Sequence, residues 1–213
     1  MLTDVHKTKR LGSALTFLTR YSEECNEFLN KIVTVDETWV CHVTPESKQE
    51  SMEWRHSRSP PPPKKKIIIQ NNIVGTQNHV FWDRQDILFV EFLPRGETSN
   101  AVRYCETLRK LRRAIQNKRR GMLSQGIVLL HDKALPHSAG VTQNLIQQFG
   151  WEQFDHPPYS PDLAPSDYHL KRDFGERRFD SDDDAKNGVQ QWLSSLAASF
   201  FEEGIDKLVS RYV

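Results

Sequence analysis

A short apolar run that ends in a carboxylate is the feature that most limits how this chain can fold. Residues 127–130 read Ile-Val-Leu-Leu, and His131 and Asp132 follow at once. A continuous apolar run of this length is typical of a strand that is buried on both faces of its sheet. A carboxylate buried at the end of such a strand costs several kcal/mol unless a cation compensates it. Asp132 is therefore a candidate ligand for a cation.

The rest of the chain shows strands first, and then helices and strands in alternation. Apolar residues at three- and four-residue spacings predict helices, and β-branched or aromatic runs predict strands. This order is compatible with a mixed α/β fold. The predicted helices cover residues 12–30, 100–117, 138–148, a segment that begins near 166, and 184–212; the predicted strands cover 31–43, a hairpin at 80–93, 126–132 and 151–154.

Composition disfavours several classes of protein. The chain has 213 residues, of which 27% are charged and 37% hydrophobic, and this balance disfavours a wholly disordered or collagen-like chain. No apolar stretch approaches the roughly 18 residues that span a bilayer, and the N-terminus lacks the apolar region of a secretory signal. The three cysteines form no CxxC pair and no even framework, so we expect a reducing compartment and interpret them as small core residues.

A proline-rich segment separates the first predicted strand from the hairpin. Residues 44–66 include four consecutive prolines, which three lysines follow at 64–66. Such a proline run favours an extended backbone with few hydrogen bonds, so we expect this loop to project from the fold. The lysines are either a nuclear-import patch or part of a solubilising loop, and the sequence favours neither.

Two further aspartates occupy positions that suit chemistry. Asp36 interrupts the first predicted strand, and Asp167 opens a helix after a proline-rich loop, where the helix dipole tolerates an anion. Taken singly, such residues are more often turns, caps or hydrogen-bonded structural groups. Asp162 rivals Asp167 on chemistry alone. Asp36, Asp132 and Asp167 together form a candidate carboxylate set.

Three motifs contain these aspartates and resemble the catalytic motifs of mariner-family transposases. They are VDETWV at 35–40, HDKALPH at 131–137 and YSPDLAPSDYHL at 159–170. Thirty-four residues separate Asp132 from Asp167, which is the spacing for which the aspartate triad of that group is named. The resemblance runs over the whole chain, because further segments are similar to the family: FLPRGET at 92–98, NAVRYCETL at 100–108 and FFEEGIDKLVSRY at 200–212.

This resemblance implies a fold, a ligand set and a reaction. The fold would be RNase H-like, a mixed sheet with flanking helices. Asp36, Asp132 and Asp167 would be the catalytic ligands of two Mg²⁺ or Mn²⁺ ions about 4 Å apart, because carboxylate oxygen suits these hard ions. No His/Cys set has comparable zinc spacing. The reaction would be cleavage of double-stranded DNA at transposon ends and transfer of the 3′ ends into target DNA, with no small-molecule substrate.

The resemblance also implies partners and supporting residues. The loop at 44–66 takes the place of a family segment that contacts the partner subunit, so a homodimer is expected, and a chromosomal DNA substrate implies the nucleus. His131 and His137 bracket Asp132, and we expect them to support the site or to pack beside it rather than to bind metal.

A basic cluster lies between residues 109 and 120, where there is no acidic residue. Each contact with a phosphate adds a salt-dependent increment to DNA binding. The alternative is a solvated helix face, and for a DNA-processing protein the two interpretations stand about even. The candidate DNA contacts are Arg109, Lys110, Arg112, Arg113, Lys118, Arg119 and Arg120.

The chain also departs from the family pattern. The paired helix-turn-helix modules that usually begin a mariner transposase are missing, so we expect residues 1–30 to be a helical lead-in and 31–213 the catalytic domain. Lys133 replaces the usual Asn beside Asp132 and places an ammonium where it competes with cations. At 66–79, polar residues replace an apolar central strand. The helix after Leu170 is about one turn short, and this shortening weakens the packing expected to support Asp167.

These departures leave two functions open. One is a metal-dependent DNA nuclease and strand transferase. The other is a catalytically inactive remnant that binds DNA or dimerises. Mariner-like domains also occur in SET-mariner fusions with a histone methyltransferase, but nothing here resembles a SET domain, so we expect no methyl transfer.

Overall fold

A computed structural model describes residues 3–41, 75–94, 97–172, 179 and 181–213. For residues 36, 38–41 and 75–77 it describes the backbone but not the side chains. The predicted projecting loop at 44–66 lies outside the described residues, as do residues 67–74 of the polar segment.

Five strands form one mixed sheet in the order β3-β2-β1-β4-β5. The pairs β1–β2 and β2–β3 are antiparallel, whereas β4 runs parallel to both β1 and β5. The mixed sheet with flanking helices is as expected, and the three residues of β4 are all buried. The strands are β1 Ile32–Cys41, β2 Gly75–Trp82, β3 Ile87–Phe92, β4 Val128–Leu130 and β5 Glu152–Gln153.

Helices cover both faces of this sheet and divide the core into two layers. On one face α1, α2 and the two C-terminal helices pack against alternate strand residues such as Ile32 and Val80. On the other face α3, α4 and α6 pack against the intervening residues, such as Val33 and Phe81. The helices are α1 Asp4–Glu24, α2 Asn26–Lys31, α3 Ala101–Lys118, α4 Arg120–Gln125, α5 Leu135–Ser138, α6 Gly140–Gln148, a π-helix Ser166–Lys171, and the C-terminal pair Asp182–Ser195 and Ala198–Tyr212.

The N-terminal helix differs from its prediction. It begins at Asp4 rather than at 12, and it breaks at Cys25, which has a φ of 51°, so α1 and α2 are separate. Cys25 is exposed, so its interpretation as a core residue is wrong, whereas Cys105 is buried as interpreted. None of the described helices is long and apolar enough to cross a membrane.

The polar segment before the hairpin forms a strand despite its composition. Its residues 75–79 begin β2, where Asn78 and His79 are buried. A buried polar residue in a sheet needs a partner, and Nε2 of His79 finds one 2.9 Å away in Oε1 of Glu37 on β1. The contact between His79 and Glu37 therefore places polar side chains in the sheet, close to the point where β4 ends beside β1.

Candidate active site

The register of two parallel strands brings residues 36 and 132 to the same level, where β4 ends beside the middle of β1. Thr34 of β1 pairs with Leu130 of β4, and each aspartate lies two residues further along its own chain. The backbone of Asp36 continues in β1 opposite Val80, and its side chain lies outside the described part of the structure. The carboxyl ends of neighbouring parallel strands are the usual location of ligand sites in α/β sheets.

Asp132 and Asp167 line one cleft of about 470 Å³. The cleft also borders Thr34 of β1, the buried His156, and the proline-rich segment 157–161 that was predicted to be a rigid loop. The structure thus brings the second and third candidate aspartates together from positions far apart in the chain.

The π-helix that bears Asp167 is firmly anchored. Nε1 of Trp82 donates to Oγ of Ser166 over 3.0 Å, and the Tyr168 hydroxyl donates to the Gly204 carbonyl over 2.8 Å. Leu170 is buried in the core. The expected loss of support after Leu170 is therefore not seen in residues 166–172; residues 173–178 lie outside the described part.

The rival carboxylate, Asp162, is engaged elsewhere. Arg10 of α1 makes a bidentate ion pair with it, with distances of 2.9 and 2.6 Å. This hydrogen bonding lowers the pKa of Asp162. Asp162 is not among the residues that line the cleft, whereas Asp167 is. Both oxygens of the Asp162 carboxylate are therefore committed to a structural contact.

Asp132 is held by one of its two carboxylate oxygens. Nδ1 of His137 donates to Oδ1 over 2.6 Å, and the Ala134 amide donates to the same atom over 3.1 Å. The hydrogen bond from His137 outweighs burial and lowers the pKa of Asp132. No described residue donates to Oδ2, which leaves that oxygen available to a ligand.

The His137 ring also contacts Glu37 from the opposite side. Its Nε2 lies 3.5 Å from Oε1 of Glu37, an ion-pair contact rather than an aligned hydrogen bond. Burial disfavours the charged ring, but Asp132 and Glu37 together outweigh it and raise the pKa of His137 to about 9. Burial likewise opposes the charge of Glu37, but His137 and His79 hold its pKa well below the usual range. At neutral pH one cation thus lies between two anions.

Aromatic packing fixes the position of this histidine. The ring of His137 stacks on His131 with 4.8 Å between centroids, and Tyr104 lies 4.1 Å away on centroid distance. Tyr104 and Nδ1 of His131 are hydrogen-bonded at 2.8 Å. Burial and the neighbouring His137 charge lower the pKa of His131 to about 3, so this ring is neutral. His137 thus bonds the Asp132 carboxylate, and His131 packs against His137.

Lys133 does not contact Asp132. Its ammonium lies 2.5 Å from Oδ1 of Asp155, an exposed residue that follows β5. The competing charge that the sequence placed beside the cleft is therefore partly compensated by this carboxylate.

The basic cluster splits into residues that serve the fold and residues that face solvent. Nζ of Lys110 lies 2.5 Å from buried Glu91, and Arg119 pairs with buried Asp83. Lys118 donates to the Ile87 carbonyl over 2.9 Å. These three residues tie α3 and its C-terminal end to the β2–β3 hairpin.

The other four basic residues are exposed. Arg112 lies over the Phe149 ring at 5.0 Å from its centroid. Arg109, Arg113 and Arg120 have no ion pair or hydrogen bond with another described residue. With a rise of about 1.5 Å per residue, the C-terminal end of α3 lies roughly 20 Å along the helix from Tyr104, whose hydroxyl is hydrogen-bonded to the cleft residue His131.

The chemistry of the cleft fits a hard divalent cation. Carboxylate oxygen is the preferred ligand of Mg²⁺ and Mn²⁺, and Asp132 presents an oxygen without a donor. Among the described side chains no three histidines, cysteines or acidic residues form a complete ligand set. The side chain of Asp36, the remaining expected ligand, is not among the described side chains.

Comparisons with known proteins identify the family. A family model described as Transposase (partial DDE domain) matches residues 44–125. The mariner Mos1 transposase of Drosophila mauritiana is 34% identical over 218 residues, which cover 99% of this chain. The crystal structure of the Mos1 catalytic domain matches with a TM-score of 0.81 and 32% identity, covering all of this chain and 92% of that one. The chain belongs to the mariner transposases. It corresponds to their catalytic domain, and its fold is RNase H-like.

Further relatives of this mariner domain extend the comparison. The histone-lysine N-methyltransferase SETMAR of Homo sapiens is 30% identical over 99% of the chain. A Mos1 paired-end complex with Mg matches with a TM-score of 0.82 and 34% identity, over 99% of this chain and 61% of that one. The mariner domain spans 61% of the length of Mos1 transposase and 31% of that of SETMAR.

Sequence reasoning missed two residues of this mariner domain. Glu37 follows Asp36 directly in β1, and strand alternation places Glu37 on the same face as Val33 and Val35. His79 lies opposite Glu37 in the antiparallel register. The sequence contains both residues, but their contact could be predicted only if the pairing of β1 with β2 were already known.

Proposed function

We propose that this chain is a metal-dependent DNA nuclease and strand-transferase domain. Asp36, Asp132 and Asp167 would be its catalytic residues and would hold two Mg²⁺ or Mn²⁺ ions. The proposal rests on one observation: the three positions come together in the fold. The register of β1 and β4 brings residues 36 and 132 to the same level, and Asp132 and Asp167 line one cleft. The Mos1 catalytic domain, of the same fold, has been solved with Mg and with Mn.

The described residues supply the support that such a site needs. Metal ions held here would activate the attacking water or 3′-hydroxyl and stabilise charge on the phosphate and leaving oxygen. His137 and the Ala134 amide fix Oδ1 of Asp132, which turns Oδ2 toward the ligand position. The ammonium of Lys171 lies 2.8 Å from Oδ1 of Asp167, so a cation at the third carboxylate would bind its other oxygen or displace this ammonium. Preorganised carboxylates lose little orientational freedom when a cation binds.

The substrate would be double-stranded DNA, both transposon ends and target. Mos1 forms paired-end and strand-transfer complexes, which supports DNA as the partner of this chain. Among the seven basic candidates, Arg109, Arg112, Arg113 and Arg120 are exposed and are not engaged with the β2–β3 hairpin, so they are the better phosphate contacts. The salt dependence of DNA binding would come from these side chains.

A homodimer and a nuclear location follow as parts of the same proposal. The paired-end complexes of Mos1 support a dimer, because pairing two DNA ends suits two copies of a catalytic domain. A chromosomal DNA substrate supports the nucleus. Sedimentation of the purified chain with and without DNA tests the oligomeric state.

The experiment is a nicking assay on short duplex DNA with Mn²⁺, accompanied by calorimetric titration of Mn²⁺ into the protein. Asp132→Asn should abolish nicking and weaken Mn²⁺ binding. Asp162→Asn is the matched control, since it loses the Arg10 pair but should keep both activities. A folded wild-type protein that neither nicks DNA nor binds Mn²⁺ would refute the proposal. Salt-dependent DNA binding without nicking would instead identify the inactive remnant.

A further inference from the structure

A chain of polar side chains runs from the interior of the sheet to the candidate metal ligand. His79 contacts Glu37 at 2.9 Å, Glu37 contacts His137 at 3.5 Å, and His137 contacts Asp132 at 2.6 Å. His79 and His137 are 0% and 3% exposed, so water cannot substitute for these contacts. The chain crosses from β2 through β1 to α5 and ends at the cleft.

Each member of this chain is held in place by its neighbours. His137 lies on the four-residue helix α5, where a short element alone gives little rigidity. Its ring is confined instead by Tyr104 and His131 on its faces and by carboxylates at both nitrogens. Removing the Glu37 carboxylate would take away the polar group that lies 3.5 Å from the buried Nε2 of His137 and would leave the ring free to turn toward the vacated space.

The consequence for the carboxylate is directional. Oδ1 of Asp132 receives two donors, and the stronger comes from His137. If the imidazole turns, the carboxylate rotates about its last bond and Oδ2 no longer faces a fixed position. Partners that hydrogen-bond to metal ligands orient those ligands in this way in many metalloproteins.

We propose that Glu37 is a positioning residue that acts through His137 to orient Asp132 for a divalent cation. This inference rests on the proposed function. It gives the two adjacent acidic residues of β1 distinct roles: Asp36 would bind the cation, and Glu37 would hold His137, which supports the second ligand.

The matched control is another buried carboxylate on the same sheet. Glu91 of β3 is 8% exposed and pairs with Lys110 and Thr107. It lies opposite His79 in the strand register but has no contact with His137 or Asp132. Glu91→Gln therefore removes a buried charge of the same kind beside His79, at the end of the chain far from the cleft, and leaves the contacts of His137 with Glu37 and Asp132 in place.

The test is calorimetric titration of MnCl₂ into the full chain and its variants, with urea denaturation of each. Glu37→Gln and His137→Gln should each raise the Mn²⁺ dissociation constant about 10- to 100-fold. The double variant should show little more loss than either single one, because both residues act through one path. Glu91→Gln should change Mn²⁺ affinity by less than about twofold, whatever it costs in stability.

The outcomes separate this inference from the proposed function. Wild-type affinity in both Glu37→Gln and His137→Gln would overturn the positioning role and leave the metal site standing. Equal loss in Glu91→Gln would also overturn it, since the effect would then be general destabilisation. A wild-type protein that binds no Mn²⁺ would overturn both. If Glu37→Gln does not fold, His137→Gln decides the question by the same comparison.

Discussion

Arg119 is predicted to stabilise the fold rather than to bind DNA. Its guanidinium pairs with Asp83, which is 2% exposed and caps the β2–β3 turn by accepting from the amides of Gln85 and Asp86. Arg119→Met keeps the apolar stem but leaves this buried carboxylate without its cation. Breaking a fully buried pair costs about 3–5 kcal/mol. Because Asp83 keeps two amide donors and Arg119 is partly exposed, we expect a smaller loss of about 2 kcal/mol.

Urea and thermal denaturation of Arg119→Met measure this loss. For a domain of this size, about 2 kcal/mol corresponds to a fall in Tm of roughly 4–8 °C. The contrasting variant is Arg113→Met, an exposed arginine on the same helix. It should leave stability within about 0.5 kcal/mol and reduce the salt slope of DNA binding by about 1. The reasoning is refuted if Arg119→Met is as stable as wild type and weakens DNA binding instead.

Three further predictions concern pH, packing and metal. Because the pKa of His137 is about 9 in the folded protein and about 6.5 when unfolded, its stabilisation is complete below about pH 6.5 and lost as pH rises through 9; urea midpoints should fall over this range in wild type but not in His137→Gln. Gly204→Ala should cost about 1–3 kcal/mol by overpacking, since a Cβ there would lie 2.5 Å from the His169 ring, whereas Gly12→Ala, with open space around it, should be neutral or stabilising by denaturation. Saturating Mn²⁺ should raise the Tm of wild type by several degrees and that of Asp132→Asn by much less, and EDTA should reverse the shift; an equal shift in both would place the ion elsewhere.

Local patterns predicted the elements that position the site. The run 127–130 predicted a buried strand ending at Asp132, and helical spacing predicted α3 to within one residue at each end. Both depend on short-range periodicity, which a sequence displays directly. The break at Cys25 was not predicted because neither glycine nor proline marks it.

Ion pairs between residues far apart in the chain could not be predicted from such local patterns. On chemistry alone Asp162 rivals Asp167, and only the fold shows that Arg10, 152 positions away, pairs with Asp162. In the same way Arg113 and Arg119 share one basic run, but only Arg119 has a buried acid within reach. Which charge meets which partner depends on the tertiary fold, so residue type and spacing alone could not assign these roles.

The parallel pairing of β1 with β4 also fixes when a site of this kind can exist during synthesis. The 86 residues 42–127 lie between the two strands, and Asp167 emerges later still. Until β4 docks beside β1, the aspartates belong to separate segments, and closing so long a loop is among the slower steps of folding. A nascent or proteolytically shortened chain that ends before β4 therefore lacks the site altogether. The DNA cleavage proposed for this domain would therefore be confined to chains that have completed their fold.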